Sequence, residues 1–527
     1  MCGLLIAANS ADALAQAIPD AATLDRQQRD ASRAEEDRER RLTPSGPLLK
    51  APPVPSATPQ GPGPAFVLIG IEFSPSAFFT TADLDAFVKP LLNERIDFAM
   101  LQGMVDRINA AYRDKGQYLA RAIVPPQTVR DGRIKISLVE GRAGKTSIAG
   151  ANRMSLDWVE RWIAPKSGEV VDVPALDMRI SRFMRATETD ATLDLTEGEA
   201  QGFTNLIVNV KEPAALGLRA FVSNEGNDLT GREQAGADLR WFSPLGRGDK
   251  ASANALDSRG AKSISGGYNL PFNTLGGVVS ATLSKGESNI IKGPFAALGV
   301  QGKSSARGLT VRHPVGSIGR WQFDGAAGVN RYKSENTVGG FSTGEVNTHT
   351  SQGALSVGWR DSDTEFGATW QRLSGRAVAA SGLTLSGRAD TLDMFLVERF
   401  KTNALSVQLR AQRSVTGTLP SIMQLSVGGP GSVRGYASGT FIGDGGYTLA
   451  VDYHFRVSDS VRGYVFTDTG LGRLTTGASQ RISSAGLGSE WQIASATTLA
   501  AVLSQALNPA VVTTGRTRLA LKLTQQF

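Results

Sequence analysis

Side chains that could act as nucleophiles, bases or metal ligands are few in this chain and widely separated. Cys2 is the one cysteine, which excludes a disulfide framework and any multi-cysteine metal site. The three histidines are isolated from one another, and they are His313, His349 and His454. The sequence therefore predicts no catalytic residues, no metal site and no cofactor, and the protein is not expected to be an enzyme.

The segment AALGVQGKSS comes close to a phosphate-binding loop. Gly302, Lys303 and Ser304 are in place, but Ala297 stands where the first glycine of the motif belongs. The segment also lacks the strand-to-helix setting that gives the motif its meaning. The sequence therefore predicts no nucleotide binding, and an activity that does not use ATP.

The totals exclude two further classes of protein. The net charge is +7 and the pI about 9.5, but the basic residues are scattered without a basic run or an aromatic platform, so nucleic acid is not an expected partner. Mean hydropathy is -0.14, and no stretch reaches the ~18 to 20 apolar residues of a membrane helix. A transmembrane β-barrel is still allowed, because its strands alternate apolar and polar positions and so dilute the average.

The N-terminal part of the chain divides into three short segments of different composition. Residues 1–19 end their apolar stretch in an Ala-Leu-Ala tripeptide that resembles the end of a secretory signal, although the usual basic opening is missing. Either the true start lies upstream or the alanine-rich beginning is coincidental. Residues 20–42 are rich in helix formers with little apolar face, which predicts a polar helix that either fills a polar cavity or stays solvated. Residues 43–64 hold eight prolines and three glycines, which predicts an extended linker.

Residues 65–141 and 142–213 combine short apolar runs with helical patterns. FVLIGIEF predicts one strand, and TTADLDAFVKPLL predicts a helix with Thr81 as its N-cap. The order strand, helix, helix, strand, strand then recurs in the second segment. Two tandem α/β domains are the expected arrangement.

Helical periodicity disappears in residues 214–527, where apolar and polar residues alternate. TLAVDYHFRV places Val451 and Tyr453 on one face and Asp452 and His454 on the other. Such alternation suits lipid outside and water inside, with each strand crossing the membrane in ~9 to 11 residues. At roughly 20 residues for each strand and turn, the segment predicts a transmembrane antiparallel β-barrel of about 16 strands. The fold class is therefore mixed, with two small α/β domains before the barrel.

Two motifs in this region resemble those of a known family. The residues that carry them are Val433, Arg434, Gly435 and Tyr436 in the glycine-rich segment SVGGPGSVRGY, and Phe466, Asp468 and Gly470 in FTDTG. They are similar to the long-loop and strand signatures of the two-partner secretion transporters, the haemolysin secretion/activation family within the outer-membrane protein insertion superfamily. The resemblance covers almost the whole chain.

The resemblance implies roles for these residues. In the family the loop arginine pairs with the strand aspartate inside the barrel, so Arg434 and Asp468 are expected to form a lumen latch. An arginine fork matches a carboxylate with two hydrogen bonds, and removing one partner of a buried pair costs roughly 3 to 5 kcal/mol. The terminal Phe527 resembles the assembly signal of barrel proteins. Arg247, Gly248 and Asp249 predict a tight turn in the first hairpin and not an integrin-binding motif.

The resemblance also implies a function and its partners. The tandem domains resemble POTRA domains 1 and 2, which hold an unfolded client in the periplasm by strand addition. Residues 20–42 resemble a plug helix of the pore. The expected location is the cell outer membrane with the N-terminal domains in the periplasm. The expected partners are a large secreted β-helical adhesin or cytolysin, outer-membrane lipid and the barrel-assembly machinery.

Three other functions stay open at this point. An insertase that assembles other barrels belongs to the same superfamily, although insertases usually carry more POTRA domains. A passive porin or adhesin would have the barrel, but a porin would have no reason to carry two periplasmic α/β domains. A soluble enzyme is the third alternative.

Overall fold

The computed structural model describes residues 21–27, 29, 65–200, 202–293, 295–508 and 516–527. The predicted signal segment and proline-rich linker lie outside the described residues, as does most of the predicted helix at 20–42. The described chain forms an N-terminal helix, α1 (residues 21–27 and 29), two α/β domains and a closed β-barrel. None of the helices in these ranges has the length and apolarity of a membrane-crossing helix.

The first α/β domain packs two helices on a small sheet. Its elements are β1 (Phe66–Val67), β2 (Gly70–Phe73), α2 (Thr81–Val88), β3 (Arg95–Ile96), α3 (Phe98–Asp114), β4 (Ala120–Ile123) and β5 (Arg133–Glu140). The main sheet has the order β2-β5-β4, with β2 parallel and β4 antiparallel to β5. Apolar residues of α3 such as Met104 and Ile108 are buried against Ile134 and Ile136 of β5. This spacing of three to four residues is the helical stripe that the sequence predicts.

Two details of the sequence prediction are wrong in this domain. FVLIGIEF does not form one strand, because the backbone of Leu68 bonds to the turn before β3 while Ile69 bonds to Gly132 next to β5. The N-cap of α2 is Thr80 and not Thr81. Asp83 is three residues after Thr80, so the two side chains and backbones bond reciprocally in a capping box.

Replacing Thr80 with alanine should destabilise α2 by about 1 kcal/mol, because the amide of Asp83 loses its acceptor. Hydrogen exchange of α2 in the full chain measures this as faster exchange. Thr81→Ala is the matched control and should change little. The backbone hydrogen bond from Thr80 lowers the pKa of Asp83, so the carboxylate's contribution is present at neutral pH and is lost as the pH falls through that lowered value. Equal exchange in both variants would contradict the assignment of the cap.

The second α/β domain repeats the predicted order of elements. It contains β6 (Arg142–Ala149), α4 (Leu156–Ile163), α5 (Val173–Thr187), β7 (Asp190–Glu197) and β8 (Phe203–Lys211). The sheet order is β6-β8-β7. Trp162 of α4 and Phe183 of α5 meet edge to face in a core that is closed by Leu193 and Val208 of the sheet.

A barrel turn docks onto this second domain. The indole N–H of Trp158 donates to the carbonyl of Arg247 at 2.9 Å, and the amide of Ser155 donates to Gly246 at 2.8 Å. Asp249 is fully buried and accepts from the amide of Leu245 at 3.1 Å. The segment predicted as a tight turn therefore forms one, and it fixes the second domain to the barrel.

The barrel has the sixteen antiparallel strands that the sequence predicts, and it is closed by pairing of β26 with β9. Its strands are β9 (Leu216–Ser223), β10 (Gln234–Phe242), β11 (Lys250–Ser258), β12 (Ala261–Pro271), β13 (Val278–Asn289), β14 (Gln301–Ile318), β15 (Trp321–Val338), β16 (Phe341–Arg360), β17 (Thr364–Ala379), β18 (Thr384–Phe400), β19 (Asn403–Ser414), β22 (Gly445–Arg456), β23 (Val461–Arg473), β24 (Ser479–Ala494), β25 (Thr497–Ala506) and β26 (Thr517–Gln526). We call the end of the barrel next to the α/β domains the domain end and the opposite end the loop end.

Strand length is uneven around the barrel. β15 has 18 residues and β16 has 20, whereas β9 has 8. The long strands exceed the predicted ~9 to 11 residues because they continue past an apolar band about 25 Å tall. Polar residues on their outer faces near the loop end therefore lie beyond the lipid-facing part of the wall.

Candidate functional site

The long segment between β19 and β22 folds back into the barrel. It contains two short paired strands, β20 (Leu425–Val427) and β21 (Phe441–Gly443). We call residues 415–444 the lumen loop. Its apolar side chains are buried against Ile482 and Ala506 of the barrel wall.

Glycines in the wall make room for the loop. A Cβ atom on Gly470 of β23 would lie 2.5 Å from Val427 and 2.9 Å from Val433. One on Gly472 would lie 2.0 Å from the ring of Phe441. All three distances are too short for real contacts, so the wall can hold the loop this closely only where it lacks side chains.

Arg434 of the lumen loop and Asp468 of β23 lie in direct contact. The Arg434 Nε donates to one carboxylate oxygen at 2.8 Å, Nη2 donates to the other at 2.6 Å, and the backbone amide of Arg434 adds a third bond at 2.9 Å. Both side chains are almost fully buried, at 6% and 0% exposure. This is the bidentate geometry in which an arginine and a carboxylate interact most strongly.

A second carboxylate, which the sequence analysis did not single out, completes the cluster. Asp452 of β22 lies 2.6 Å from Nη2 of Arg434 and is fully buried. The guanidinium also stacks 3.6 Å from the ring centroid of Phe466. The alternation in TLAVDYHFRV predicts that Asp452 lies on the polar face of its strand. It does not predict that the arginine of the lumen loop reaches that aspartate.

The remaining motif residues surround this cluster, with one exception. Gly435 has a φ of 89°, a left-handed conformation that favours glycine. The Tyr436 hydroxyl donates to the carbonyl of Ser483 at 2.9 Å, and Val433 is fully buried beside Gly470. Phe527 lies apart from the site, at the end of β26, with 75% of its surface exposed.

Helix α1 lies inside the barrel and contacts the lumen loop. The Arg26 guanidinium donates to the carbonyls of Ile422 and Gln424 at 2.5 and 2.6 Å. Gln27 donates to the hydroxyl of Ser426 at 3.1 Å. Ala22 joins an apolar cluster with Leu419, Ile422 and Met423 of the loop and Ala389 of β18. The helix and the loop therefore pack as one unit.

The opposite side of α1 contacts the barrel wall. The amide of Ala21 donates to Asn336 at 3.3 Å, and a Cβ on Gly302 would lie 2.5 Å from the Cβ of Ala21. Asp25 lies next to Gly286 and is paired with Arg29 at 3.0 Å. The described residues of α1 thus bridge the wall and the lumen loop.

A cavity of about 1220 Å³ opens at the domain end of the barrel. One side is formed by Asp177, Met178 and other residues of α5, and Gly431 and Ser432 of the lumen loop form another part of its lining. Arg185 of α5 pairs with Asp324 of the barrel at 3.2 Å. Burial raises the pKa of Asp177. The second domain therefore borders the entrance to the lumen.

The residues that the sequence offers for nucleotide or metal binding are not brought together in the described ranges. Gly302, Lys303 and Ser304 lie within strand β14 and not between a strand and a helix. His454 faces the lumen beside Tyr464, whereas His349 lies on another strand with its side chain exposed. Across the residues that the structure describes, no three His, Cys, Asp or Glu side chains are grouped so that they could hold a metal ion.

Comparison with known families decides the identity of the barrel. Residues 202–491 match the family described as haemolysin secretion/activation protein ShlB/FhaC/HecB, and residues 66–141 match the ShlB-type POTRA domain. The chain belongs to this family. Family membership places the barrel in the outer membrane and the N-terminal domains in the periplasm. The domain end is therefore the periplasmic end, and the loop end is extracellular.

Individual members of the ShlB/FhaC/HecB family are distant in sequence. The heme/hemopexin transporter protein HuxB of Haemophilus influenzae strain 86-028NP is 24% identical over 246 residues, which are 45% of this chain and 42% of HuxB. The outer membrane transporter CdiB of Escherichia coli is 22% identical over 230 residues, 42% of this chain and 39% of CdiB. The matched stretch spans less than half the length of either relative.

Solved structures of two relatives have the same fold. CdiB from Escherichia coli superposes with a TM-score of 0.78 at 18% identity, covering 97% of this chain and 100% of that one. CdiB from Acinetobacter baumannii gives a TM-score of 0.73 at 16% identity with the same coverage. The fold of the two α/β domains and the barrel is thus shared with these two structures.

Proposed function

We propose that this protein is an outer-membrane pore that takes an unfolded client from the periplasm and secretes it across the membrane without ATP. The observation that carries the proposal is the packing of α1 and the lumen loop inside the barrel, next to a periplasmic cavity bordered by α5. A passive porin needs neither feature. Folding of the client outside the cell would supply the driving force.

Two parts of the lumen have distinct roles in this proposal. The described residues of α1, as part of the segment 20–42, act as a plug that occupies the resting pore. Arg434 and Asp468 act as a latch that holds the lumen loop against the wall. The contacts of Arg26 with loop carbonyls support coupling between plug and latch, because a change in the loop alters the acceptors of that guanidinium.

The client is proposed to bind by strand addition at the β2 edge of the first POTRA domain. The other edge, β4, is covered by a side chain: Asn109 accepts from the amide of Ala122 at 2.7 Å and donates to its carbonyl at 3.3 Å. Gln127 bonds to both backbone groups of Lys135 on β5 in the same way, at 2.6 and 2.7 Å. Side-chain amides thus satisfy the groups that an added strand would need there. The client is expected to be a large secreted β-helical adhesin or cytolysin, as the family resemblance implies.

A comparison of secreted proteins tests the proposed function. Culture medium from a strain that lacks this chain should be missing at least one large protein that is present in the parent strain. Complementation with the full chain should restore that protein to the medium. Identical media from both strains would contradict a role in secretion.

Deletion of residues 65–141 should stop client export while the barrel still folds, because the second domain keeps its own bonds to the barrel turn. Secretion is measured in the medium and folding by the heat-dependent shift of the barrel on a gel. The substitution Gln102→Ala on the exposed side of α3 is the control and should export normally. Full export by the deletion variant would show that the first POTRA domain is not needed for client capture.

A further inference from the structure

A row of basic side chains, three of them arginines, runs across four neighbouring strands near the extracellular end of the barrel. Arg307 of β14 lies directly opposite Arg331 of β15, which is opposite His349 of β16, which in turn is opposite Arg376 of β17. All four residues are exposed. Arg388 of β18 lies opposite Ser374, a neighbour of the row on β17, and is exposed as well.

These side chains point away from the lumen. On β15 the adjacent Tyr332 packs inward against the cluster formed by α1 and the lumen loop, as Leu373 does on β17. Side chains alternate along a strand, so Arg331 and Arg376 face outward. Leu309 and Val329, which are 47% and 57% exposed, occupy the next outward positions toward the periplasm. The row therefore adjoins the lipid-facing surface.

The height of the row matches the outer membrane boundary. Arg331 lies ten residues along β15 from Trp321, which forms an aromatic group with Trp359 and Phe366 near the periplasmic end. Ten residues at about 3.4 Å each, tilted by about 40°, rise about 25 Å, which is the height of the apolar band of such barrels. The aromatic group marks the inner interface, so the basic row lies at the outer one.

The charges of this row are not balanced by the protein. Within the described residues no carboxylate approaches any of these five side chains within 4 Å, although such pairs are common elsewhere on the wall, for example Lys333 with Glu345 and Arg372 with Asp390. Like charges directly opposite each other on neighbouring strands are unfavourable. An anion bound from outside would remove this repulsion.

The wall around the row is shaped to receive such an anion. A depression of about 900 Å³ is bordered by the four arginines and His349. Hydroxyl groups also border it, and these belong to Ser351, Ser374, Ser386 and Thr416. Hydroxyls and guanidinium groups together are suitable donors for phosphate oxygens.

We propose that Arg307, Arg331, His349, Arg376 and Arg388 form a site for the phosphorylated headgroup of an anionic glycolipid, the class to which lipopolysaccharide belongs. The arginines bind the phosphates, and the acyl chains lie against Leu309 and Val329 below them. Such a lipid is held on the outside of the strands whose inner faces contact α1 and the lumen loop. The site is thus a lipid clamp on the strands β14 to β18.

Native mass spectrometry of the full-length barrel, released from micelles with diphosphoryl lipid A added, tests the site. The unmodified chain should retain the lipid, and the triple variant Arg307→Gln, Arg331→Gln, Arg376→Gln should lose at least about a hundredfold in affinity, since one charged hydrogen bond changes affinity by about tenfold. The same three positions changed to lysine should bind at an intermediate level, because lysine keeps the charge but not the fork. The single variant Arg331→Gln should lose about tenfold in affinity for the lipid. It tests the site even if the triple variant does not fold.

Three controls separate this site from other causes of binding. The variant Arg259→Gln, Lys262→Gln, Lys292→Gln removes three exposed cations from other extracellular positions and should bind like the unmodified chain. Dephosphorylated lipid should bind weakly to every variant. The proposal would be overturned if the triple variant retained the lipid as well as the unmodified chain does. It would also be overturned if the unmodified chain retained dephosphorylated lipid as well as the phosphorylated form. Inorganic phosphate that binds as tightly as the lipid would assign the site to free phosphate and would also overturn it.

Discussion

Replacing Arg434 with alanine should abolish export while the barrel still reaches the outer membrane. The variant leaves Asp468 and Asp452, both fully buried, without the guanidinium that bonds them through the same nitrogen. Breaking a buried ion pair of this kind costs roughly 3 to 5 kcal/mol, which is enough to release the lumen loop from the wall. Secretion into the medium, the heat-dependent shift and protease sensitivity of the loop measure the three consequences separately.

Among variants of the two aspartates, the loss of export should increase with the number of bonds to Arg434 that the variant removes. Asp468→Asn loses the bidentate pair and should be nearly as severe as Arg434→Ala, whereas Asp452→Asn loses one contact and should be milder. Arg434→Lys keeps the charge but not the fork, and it should export little more client than Arg434→Ala does. The control is Arg259→Ala, which breaks a 3.9 Å pair with Glu233 in which both side chains are more than half exposed. Exposed pairs contribute about 0 to 1 kcal/mol, so this variant should export normally.

A combined variant distinguishes the latch from a general loss of stability. In the Arg434→Ala background, Asp452→Asn removes one of the two uncompensated charges and should recover part of the loop's protease resistance. It should not recover export, because the bidentate bond to Asp468 is still missing. Normal export by Arg434→Ala itself would remove the latch from the mechanism.

The barrel could be predicted from the sequence because the pattern that indicates it lies within each strand. Lipid-facing and lumen-facing positions alternate along each strand, and the number of strands then follows from the length of the segment. The contact between Arg434 and Asp468 is not local, and only the family's motifs indicated it. Asp452 was missed because alternation gives the face of a side chain and not what the opposite side of the lumen brings to it.

The same alternation misleads at the extracellular end of the long strands. The alternating pattern predicts that charged faces point into the lumen, yet Arg307, Arg331 and Arg376 face outward. The reason is that β14 to β17 continue beyond the bilayer, where an outward position meets headgroups and water and no longer selects for apolar residues. Where a strand leaves the membrane depends on its tilt and stagger in the closed barrel, which the sequence of one strand does not contain.

The location of α1 also could not be predicted from the sequence. Its polar composition suited either a solvated arm or a filled cavity, and the structure buries Ala21, Ala22 and Leu24 inside the barrel. Ala21 and the neighbouring Asp25 fit against the wall because Gly302 and Gly286 leave space beside them. Complementarity of this kind depends on residues more than 250 positions apart, so no local pattern could reveal it.

Fixing α1 to the wall by a disulfide should block export until the bond is reduced. A Cβ on Gly286 would lie 3.2 Å from Cγ of Asp25, close to the spacing of a Cβ and the far sulfur in a disulfide, so Asp25→Cys with Gly286→Cys should cross-link in a chain in which Cys2 is changed to serine. Oxidised protein should show low conductance in planar bilayers and no export, and reduction should restore both. Each single cysteine variant serves as a control and should export in either redox state.

Deleting residues 20–42 should have the opposite effect on the pore. An α-helix with its side chains is about 10 Å across, so its removal from the lumen should raise single-channel conductance severalfold. The cross-link and the deletion together separate a plug from a structural brace. A plug that must leave predicts loss of export on oxidation and a larger current on deletion, whereas a brace predicts normal export when α1 is fixed in place. Because α1 and the lumen loop share the contacts of Arg26, release of the plug should also expose the loop to protease, and that exposure should disappear in the oxidised variant.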